Sequence, residues 1–437
     1  MALIVCDALF FCFGCTRHGL NLFRGGKYMS DVFDVLIIGG GPAGLTAGIY
    51  ASRSKLKTAI LEKKRKPGGQ MSTTWELENY PGFKEATGPD IAKSLSEHAE
   101  KFGCEFLKGE VKEIDLHSNP KVVTSKKGEE YHAKSVIMAT GAEPRTLGLP
   151  GEHEFRGLGV GYCATCDADF YTDQEVIVIG SGDAAVEEAI YLTRFAKKVT
   201  IVVVHEEGKM DATKVIQERA FENPKIDYIW NSVVEEIKGD ELVDRVVVKN
   251  IKTGETSEVK TDGVFIFVGT IPKTEFIEGQ VELTEQGYVK VNDQMETSVP
   301  GVYSAGDVND KFLRQVVTAC ADGAIAATAC ERFLEERQDI EEKIEEPSQE
   351  KSVIVVFWSP TVKESMEAIS QLEEVVGNDN QVKIVNIDTY KSTGIADNYQ
   401  INEIPSIIAV RNKKVVASLT GKEVNKEKLA DFYQDLV

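Results

Sequence analysis

The sequence predicts an α/β protein: two Rossmann-like, three-layer nucleotide-binding units followed by a smaller domain of alternating strands and helices. Two observations predict it. A strand, a glycine turn, a helix of small residues and a second strand occur in succession twice, with leading glycines at Gly39 and Gly180. Such βαβ units imply parallel sheets. Beyond a charged run at 336–351, strand-like segments such as "SVIVVFWSP", "QVKIVNID", "SIIAVRN" and "KVVASLTG" alternate with helical ones.

Residues 1–30 stand outside this scheme. "MALIVCDALFFCFGC" has an apolar run broken by Asp7, no basic leading region, and too little length to span a bilayer. Cys12 and Cys15 are spaced C-x-x-C without strand or helix periodicity around them. The segment reads as a disordered extension, with Met29 the natural beginning; a weak membrane or targeting segment is the alternative. A net charge of -20 disfavours nucleic acid and anionic membranes as partners. Eight irregularly spaced cysteines in 437 residues do not make a disulfide scaffold, so a cytoplasmic setting is expected.

In the first unit, Gly39-x-Gly41-x-x-Gly44 follows a strand and opens a helix. The first glycine permits the turn, the second admits a pyrophosphate, and the third lets helix and strand pack. Glu62 ends the second strand, placed for ribose hydroxyls. The motif alone does not separate FAD from NAD.

Next comes "GYCATCDADF". Two sulfurs in one short turn can form or break a disulfide with little chain rearrangement, which suits Cys163 and Cys166 to electron transfer. A structural zinc site needs about four ligands, and no second C-x-x-C or paired His stands nearby; no metal is expected. Asp167 reads either as a helix N-cap or as a proton donor and acceptor for the thiols.

The second unit carries Gly180-x-Gly182-x-x-Ala185, and its "AVEEAIYL" helix has a core face. The following loop reads "HEEGKMDATK". An acidic residue after the second strand normally reads the ribose 2′-hydroxyl of NADH, a role that suits Glu206. Cys104, Cys320 and Cys330 read as small buried hydrophobes, and His98 and His117 as surface residues. Residues 335–351, "EERQDIEEKIEEPSQEK", read as a helix end followed by a linker, the linker placed at 336–351.

Six ordered motifs, "GGGPAGL", "PGGQM", "ENYPGF", "ATGAEPR", "CATCDADF" and "SAGDVNDKFLRQVVTACADGAIAA", give residues 32–335 a resemblance to low-molecular-weight thioredoxin reductases. The resemblance implies an FAD-binding domain split into 32–145 and 272–335, with an NAD(P)-type domain at 146–271 that holds the C-x-x-C. By matching position it puts Gly39, Gly41, Ala43, Gly44, Glu62, Gly69, Gln70, Asn79, Val111, Gly141, Asp307, Arg314, Gln315 and Val316 at the flavin. Asp307 is implied at the ribityl or pyrophosphate region, and Arg314 and Gln315 at the isoalloxazine. Gly180, Gly182 and Ala185 are implied at the pyridine nucleotide, beside the Glu206 read above from its place after the second strand.

The resemblance also implies the activity. Electrons pass from a donor through FAD to the Cys163–Cys166 pair, and on to a disulfide of thioredoxin or a related small protein. It places Cys166 nearer the flavin, gives Asp167 the proton role, requires the inserted domain to rotate, and suggests a homodimer. Where NADPH-using members have three arginines, this chain has Glu206, Glu207 and Asp211. A carboxylate about 5 Å from a phosphate costs roughly 3 kcal/mol at an effective dielectric of about 20, before screening. NADH is therefore the expected donor over NADPH; ferredoxin, used by some members, is an alternative. A flavoprotein reductase of a peroxiredoxin system is the other enzyme reading, and a redox-responsive binding protein the non-enzyme one.

Residues 352–437 resemble a thioredoxin domain. Pro405 falls where that fold keeps a cis-proline. The usual C-x-x-C slot reads Val362, Lys363, Glu364, Ser365, so the domain is expected to be redox-inactive. It is left either a binding role or none, with Trp358 packing near its core.

Overall fold

The structure is a computed structural model. It describes residues 32–437 except 74–76, 78, 85 and 378, and the backbone but not the side chains of residues 73, 165 and 166. The extension read at 1–30, with Cys12, Cys15 and Met29, lies outside the described residues.

The first glycine motif joins β1 (Phe33–Ile38) to α1 (Pro42–Arg53). The strand is apolar on both faces, as a central parallel strand must be. Pro42 begins the helix where its missing N–H costs nothing. β2 (Thr58–Glu62) returns parallel to β1, with Ile37 opposite Ile60. Thr87 caps α2 (Gly88–Lys101) by accepting from the Asp90 N–H. β3 (Glu105–Lys108), β4 (Val111–Asp115), β5 (Lys121–Ser125) and β6 (Glu130–Met138) follow, and the sheet runs β3-β2-β1-β6-β5-β4.

The chain leaves this sheet through β7 (Ala142–Pro144) and builds a second unit. After β8 (Val160–Gly161) and the short α3 (Ala164–Asp167) come β9 (Glu175–Ile179), α4 (Asp183–Leu192), β10 (Lys198–Val202), α5 (Lys214–Glu222) and β11 (Ile226–Ile229). The antiparallel strands β12 (Ser232–Gly239), β13 (Val243–Asn250) and β14 (Thr256–Lys260) cover one face, where Val234 and Val246 pack on Ile177 and Val264. β15 (Gly263–Ile266) closes the parallel sheet in the order β11-β10-β9-β15-β8.

β16 (Thr270–Pro272) pairs antiparallel with β7, so entry and exit form one two-stranded ribbon. The chain then rejoins the first sheet: β17 (Val302–Ser304) lies parallel to β6, and α6 (Val316–Ile340) shares a core with α1. The first unit is thus split in sequence by the second.

The sequence reading places a linker at 336–351; the structure keeps this segment helical. α6 runs to Ile340, a π-helical turn spans Glu341–Glu345, and a 3-10 turn spans Pro347–Gln349. Ile340 and Ile344 are buried with Val353, Phe357 and Ile395 in the core of the C-terminal unit. The glutamates that signal a linker occupy the outer face, while two isoleucines four apart lie on the same inner side.

That unit comprises β18 (Ser352–Trp358), α7 (Lys363–Val376), β19 (Val382–Asp388), α8 (Thr393–Asn398), β20 (Ser406–Arg411), β21 (Lys414–Thr420) and α9 (Lys426–Gln434). Its sheet order is β19-β18-β20-β21, with a core on each face. Ile404–Pro405 is cis, and Trp358 is half-buried. Arg332 of α6 donates to Thr393 Oγ1 (2.7 Å) and to the Lys391 carbonyl (3.3 Å). Among the described residues no helix is long and apolar enough to cross a membrane.

Candidate active site

A cavity of about 850 Å³ opens at the carboxyl ends of β1 and β6, where an open α/β sheet binds ligands. Gly39 forms the turn with φ +104, and a Cβ there would sit 2.4 Å from the Ala139 carbonyl oxygen. Gly39, Gly41 and Ala43 border the cavity, but Gly44 does not. Gly44 instead lets α1 press on the turn, since a Cβ would meet the Gly39 oxygen at 1.9 Å.

Glu62 borders the cavity and braces the turn: its Oε2 accepts the Gly40 N–H at 2.6 Å and its Oε1 the Lys64 N–H at 2.7 Å. Gly69, Gln70, Asn79, Val111 and Gly141 line the same space. Gln70 Nε2 donates to the Ala142 carbonyl on β7, tying the cavity wall to the ribbon between units. Asn79 Nδ2 reaches Gln315 Oε1 at 3.0 Å.

Asp307, Arg314, Gln315 and Val316 close the far side. Gln315 sits at the start of α6, where its own N–H donates to Thr318 Oγ1 (3.2 Å). Arg314 lies over the Tyr288 ring at 4.3 Å. Two buried atoms, Asp307 Oδ1 and Arg314 Nε, have no hydrogen-bond partner among the described residues. Burial pushes the Asp307 carboxyl up, against the pull of Lys311 and Arg314. Orphaned buried polar atoms are costly, and a ligand carrying hydroxyls and ring acceptors satisfies both. With the glycine cradle and Glu62, this set fits FAD.

The second unit faces the same cavity with α4 and α5: Ala184, Glu187, Tyr191 and Arg219 line it. Gly180, Gly182, Ala185 and Glu206 do not, and neither does any described side chain of the cysteine turn. In this conformation the nucleotide helix α4 stands over the cradle.

Around the second glycine turn the acidic loop is fastened. Ser181 Oγ donates to Asp211 Oδ2 at 2.8 Å, and His205 Nε2 lies 2.9 Å from the same oxygen. The Ala212 N–H donates to the Ser181 carbonyl (2.9 Å) and the Thr213 N–H to Asp183 Oδ1 (2.5 Å). His205, then Ser181, hold the Asp211 carboxyl below its ordinary range. Glu206 pairs instead with Lys252 (3.2 Å) and Lys209 (3.4 Å), which lower its pKa.

Cys163 is the N-cap of α3 and its sulfur is disulfide-bonded; the Cys166 side chain lies outside the described residues. Asp167 ends α3 and stands at the N-cap position of the 3-10 turn that follows, where its side chain makes no cap bond. Burial, then Asp169, push its carboxyl up. Its Oδ2 lies 3.1 Å from where a side chain at Gly161 would begin, beneath Phe265. The Tyr171 phenol is raised in turn by burial and by Asp167.

In the C-terminal unit the vestigial slot is polar and satisfied. Ser365 is fully buried; its hydroxyl has the Val362 (2.6 Å) and Ser359 (2.9 Å) carbonyls as alternative acceptors for its one proton, and its Oγ accepts the Ser359 N–H (3.2 Å). No cysteine occurs after Cys330. Elsewhere Cys104 and Cys330 are buried, while Cys320 is half-buried, 3.8 Å from the Tyr80 hydroxyl. His98 and His117 are exposed. No group of His, Cys, Asp and Glu suited to a metal occurs among the described residues.

Comparison with known proteins gives a consistent picture. The pyridine nucleotide-disulphide oxidoreductase family model matches residues 33–323, and the thioredoxin family model residues 333–435. A thioredoxin reductase of Peptoclostridium acidaminophilum is 52% identical over 314 residues, 70% of this chain and 98% of its own. One from Bacillus subtilis (strain 168) is 48% identical over 309 residues, 70% of this chain and 96% of its own. Among solved structures, Lactococcus lactis thioredoxin reductase in the FR conformation gives a TM-score of 0.68 at 46% identity, covering 70% of this chain and 99% of that one. T. acidophilum thioredoxin reductase gives 0.65 at 38% identity, covering 68% and 97%.

Proposed function

The chain belongs to the pyridine nucleotide-disulphide oxidoreductase family, as a thioredoxin reductase with a C-terminal thioredoxin-family domain, and from that premise we propose how its residues divide the work and which donor it takes. FAD, when bound, carries two electrons between a pyridine nucleotide and a dithiol. The cradle residues hold it: Glu62 at a ribose, Asp307 at the ribityl or pyrophosphate region, Arg314 and Gln315 at the ring.

Cys163 and Cys166 form the redox pair, with Cys166 nearer the flavin and Cys163 outward. The Cys163 thiolate attacks the thioredoxin disulfide, one new S–S bond forms, and one thioredoxin sulfur leaves as a thiolate. Cys166 then attacks Cys163, closing their disulfide and releasing the second thioredoxin sulfur. Asp167, with its raised pKa, holds the proton that a leaving thiolate needs and takes it back from the resting thiol.

The donor is NADH. The observation that carries this is the Asp211 carboxylate, fastened by Ser181 and His205 against the glycine turn. An anchored anion cannot swing away from an incoming 2′-phosphate. Glu206 is partly offset by its two lysines, but among the described residues Asp211 pairs with His205 and with no Lys or Arg. Losing an arginine clamp and gaining repulsion exceeds about 1.4 kcal/mol, a factor of ten in affinity. The test is anaerobic titration of the bound flavin: NADH is expected to bleach it at concentrations about tenfold or more below those NADPH requires. Equal or better reduction by NADPH overturns the donor assignment.

Thioredoxin reduction also requires the second unit to turn, because α4 stands over the cavity in place of the cysteine turn. The β7–β16 ribbon is the connection about which it turns. The C-terminal domain takes no part in disulfide exchange, since it has no thiol.

A further inference from the structure

One buried ion pair stands just behind the cavity wall. Asp322, on α6, lies in the same buried stretch as Ala319, Gly323 and Ala326. Its Oδ2 accepts the Gly306 N–H at 3.0 Å and meets Lys311 Nζ at 2.5 Å. The two side chains are only 13% and 14% exposed. Neither borders the cavity, whereas Gly306 and Asp307 do. The Gly306–Asp307 turn is wedged, since a side chain at 306 would begin 3.0 Å from the Ala43 Cβ of α1.

We propose that Lys311 and Asp322 are positioning residues of the flavin site. Asp322 fixes the turn through the Gly306 N–H, and Lys311 cancels the Asp322 charge so that Asp307 can receive a ligand hydroxyl. Without the cation, the buried Asp322 carboxylate sits on the Gly306 N–H, next in the chain to Asp307 with its buried Oδ1, behind a site that takes an anionic pyrophosphate. Removing one partner of a buried pair leaves an uncompensated charge, which costs far more than replacing both.

The charge argument gives a test that packing alone does not mimic. Lys311→Met keeps most of the apolar stem and loses the charge. Its apoprotein is expected to bind FAD about tenfold or more weakly than wild type, read by quenching of FAD fluorescence. Asp322→Asn keeps an acceptor for Gly306, so the double variant Lys311→Met/Asp322→Asn is expected to regain most of the lost affinity. Unchanged affinity in Lys311→Met, or a double variant no tighter than Lys311→Met, overturns the proposal. Should the single variant not fold, the double variant decides alone: folded with FAD affinity supports the pair, folded without it refutes it. The inference rests on the cavity being the FAD site. Wild-type apoprotein that bound no FAD would sink that reading, whereas normal affinity in Lys311→Met sinks only the pair.

Discussion

Asp167 shows how a residue's role depends on what surrounds it. Burial and Asp169 raise its pKa, so its carboxyl keeps a proton to higher pH than a free one. The rate it supports falls as pH rises through that raised value. Asp167→Asn keeps the shape and loses the proton. It is expected to reduce thioredoxin roughly 100-fold more slowly and to lose that fall with rising pH, as followed by stopped-flow across pH. A wild-type rate in the variant would remove Asp167 from the chemistry. Sequence pattern exposed this residue because it directly follows a C-x-x-C. Lys311 and Asp322 were invisible by comparison. Eleven positions apart, on a loop and a helix, they meet only once the loop before α6 folds back along that helix. The one available hint was an acid inside an alanine-rich helix. The partnership of Asp211 with Ser181 and His205 was equally hidden, because it spans thirty residues and depends on the turn.

At the scale of elements, strands and glycine turns were legible because each carries its own local signature: an apolar run, then a position only glycine fills. The end of α6 was misread for the opposite reason. Between Arg337 and Glu346 the charges outnumber the apolar residues, and a composition rule sees a linker. Burial depends instead on which side Ile340 and Ile344 fall. Ile344→Ala, deleting a fully buried side chain, is expected to destabilise the C-terminal unit by about 2–5 kcal/mol. Intrinsic tryptophan fluorescence during denaturant unfolding, recorded with Trp75 and Trp230 replaced by Phe so that Trp358 alone emits, reads this, while flavin absorbance should remain unchanged. Loss of flavin in that variant would show that the two units unfold together.

For the whole molecule, the C-terminal unit is not self-sufficient. Part of its core comes from the helix that begins at the flavin cavity, and Arg332 and Arg337 bond to its α8 region. A fragment of residues 352–437 alone is expected to show little cooperative unfolding by circular dichroism, because Ile340 and Ile344 are missing from it. A fragment starting at 333 is expected to fold; a stable 352–437 fragment would refute the dependence. The sequence reading puts the start of this unit at residue 352, but its core also takes in Ile340 and Ile344, shared packing that no local pattern reports.

The continuous α6 has a geometric consequence for how this fusion can vary. A helix advances about 1.5 Å and turns about 100° per residue. One residue added or lost between Arg332 and Ile340 would therefore swing the appended module, with both isoleucines still in its core, around the shaft and pull Thr393 away from Arg332. Viable lengths come in whole turns, like the teeth of a keyed coupling, so the angle between the module and the flavin end is locked by residue count.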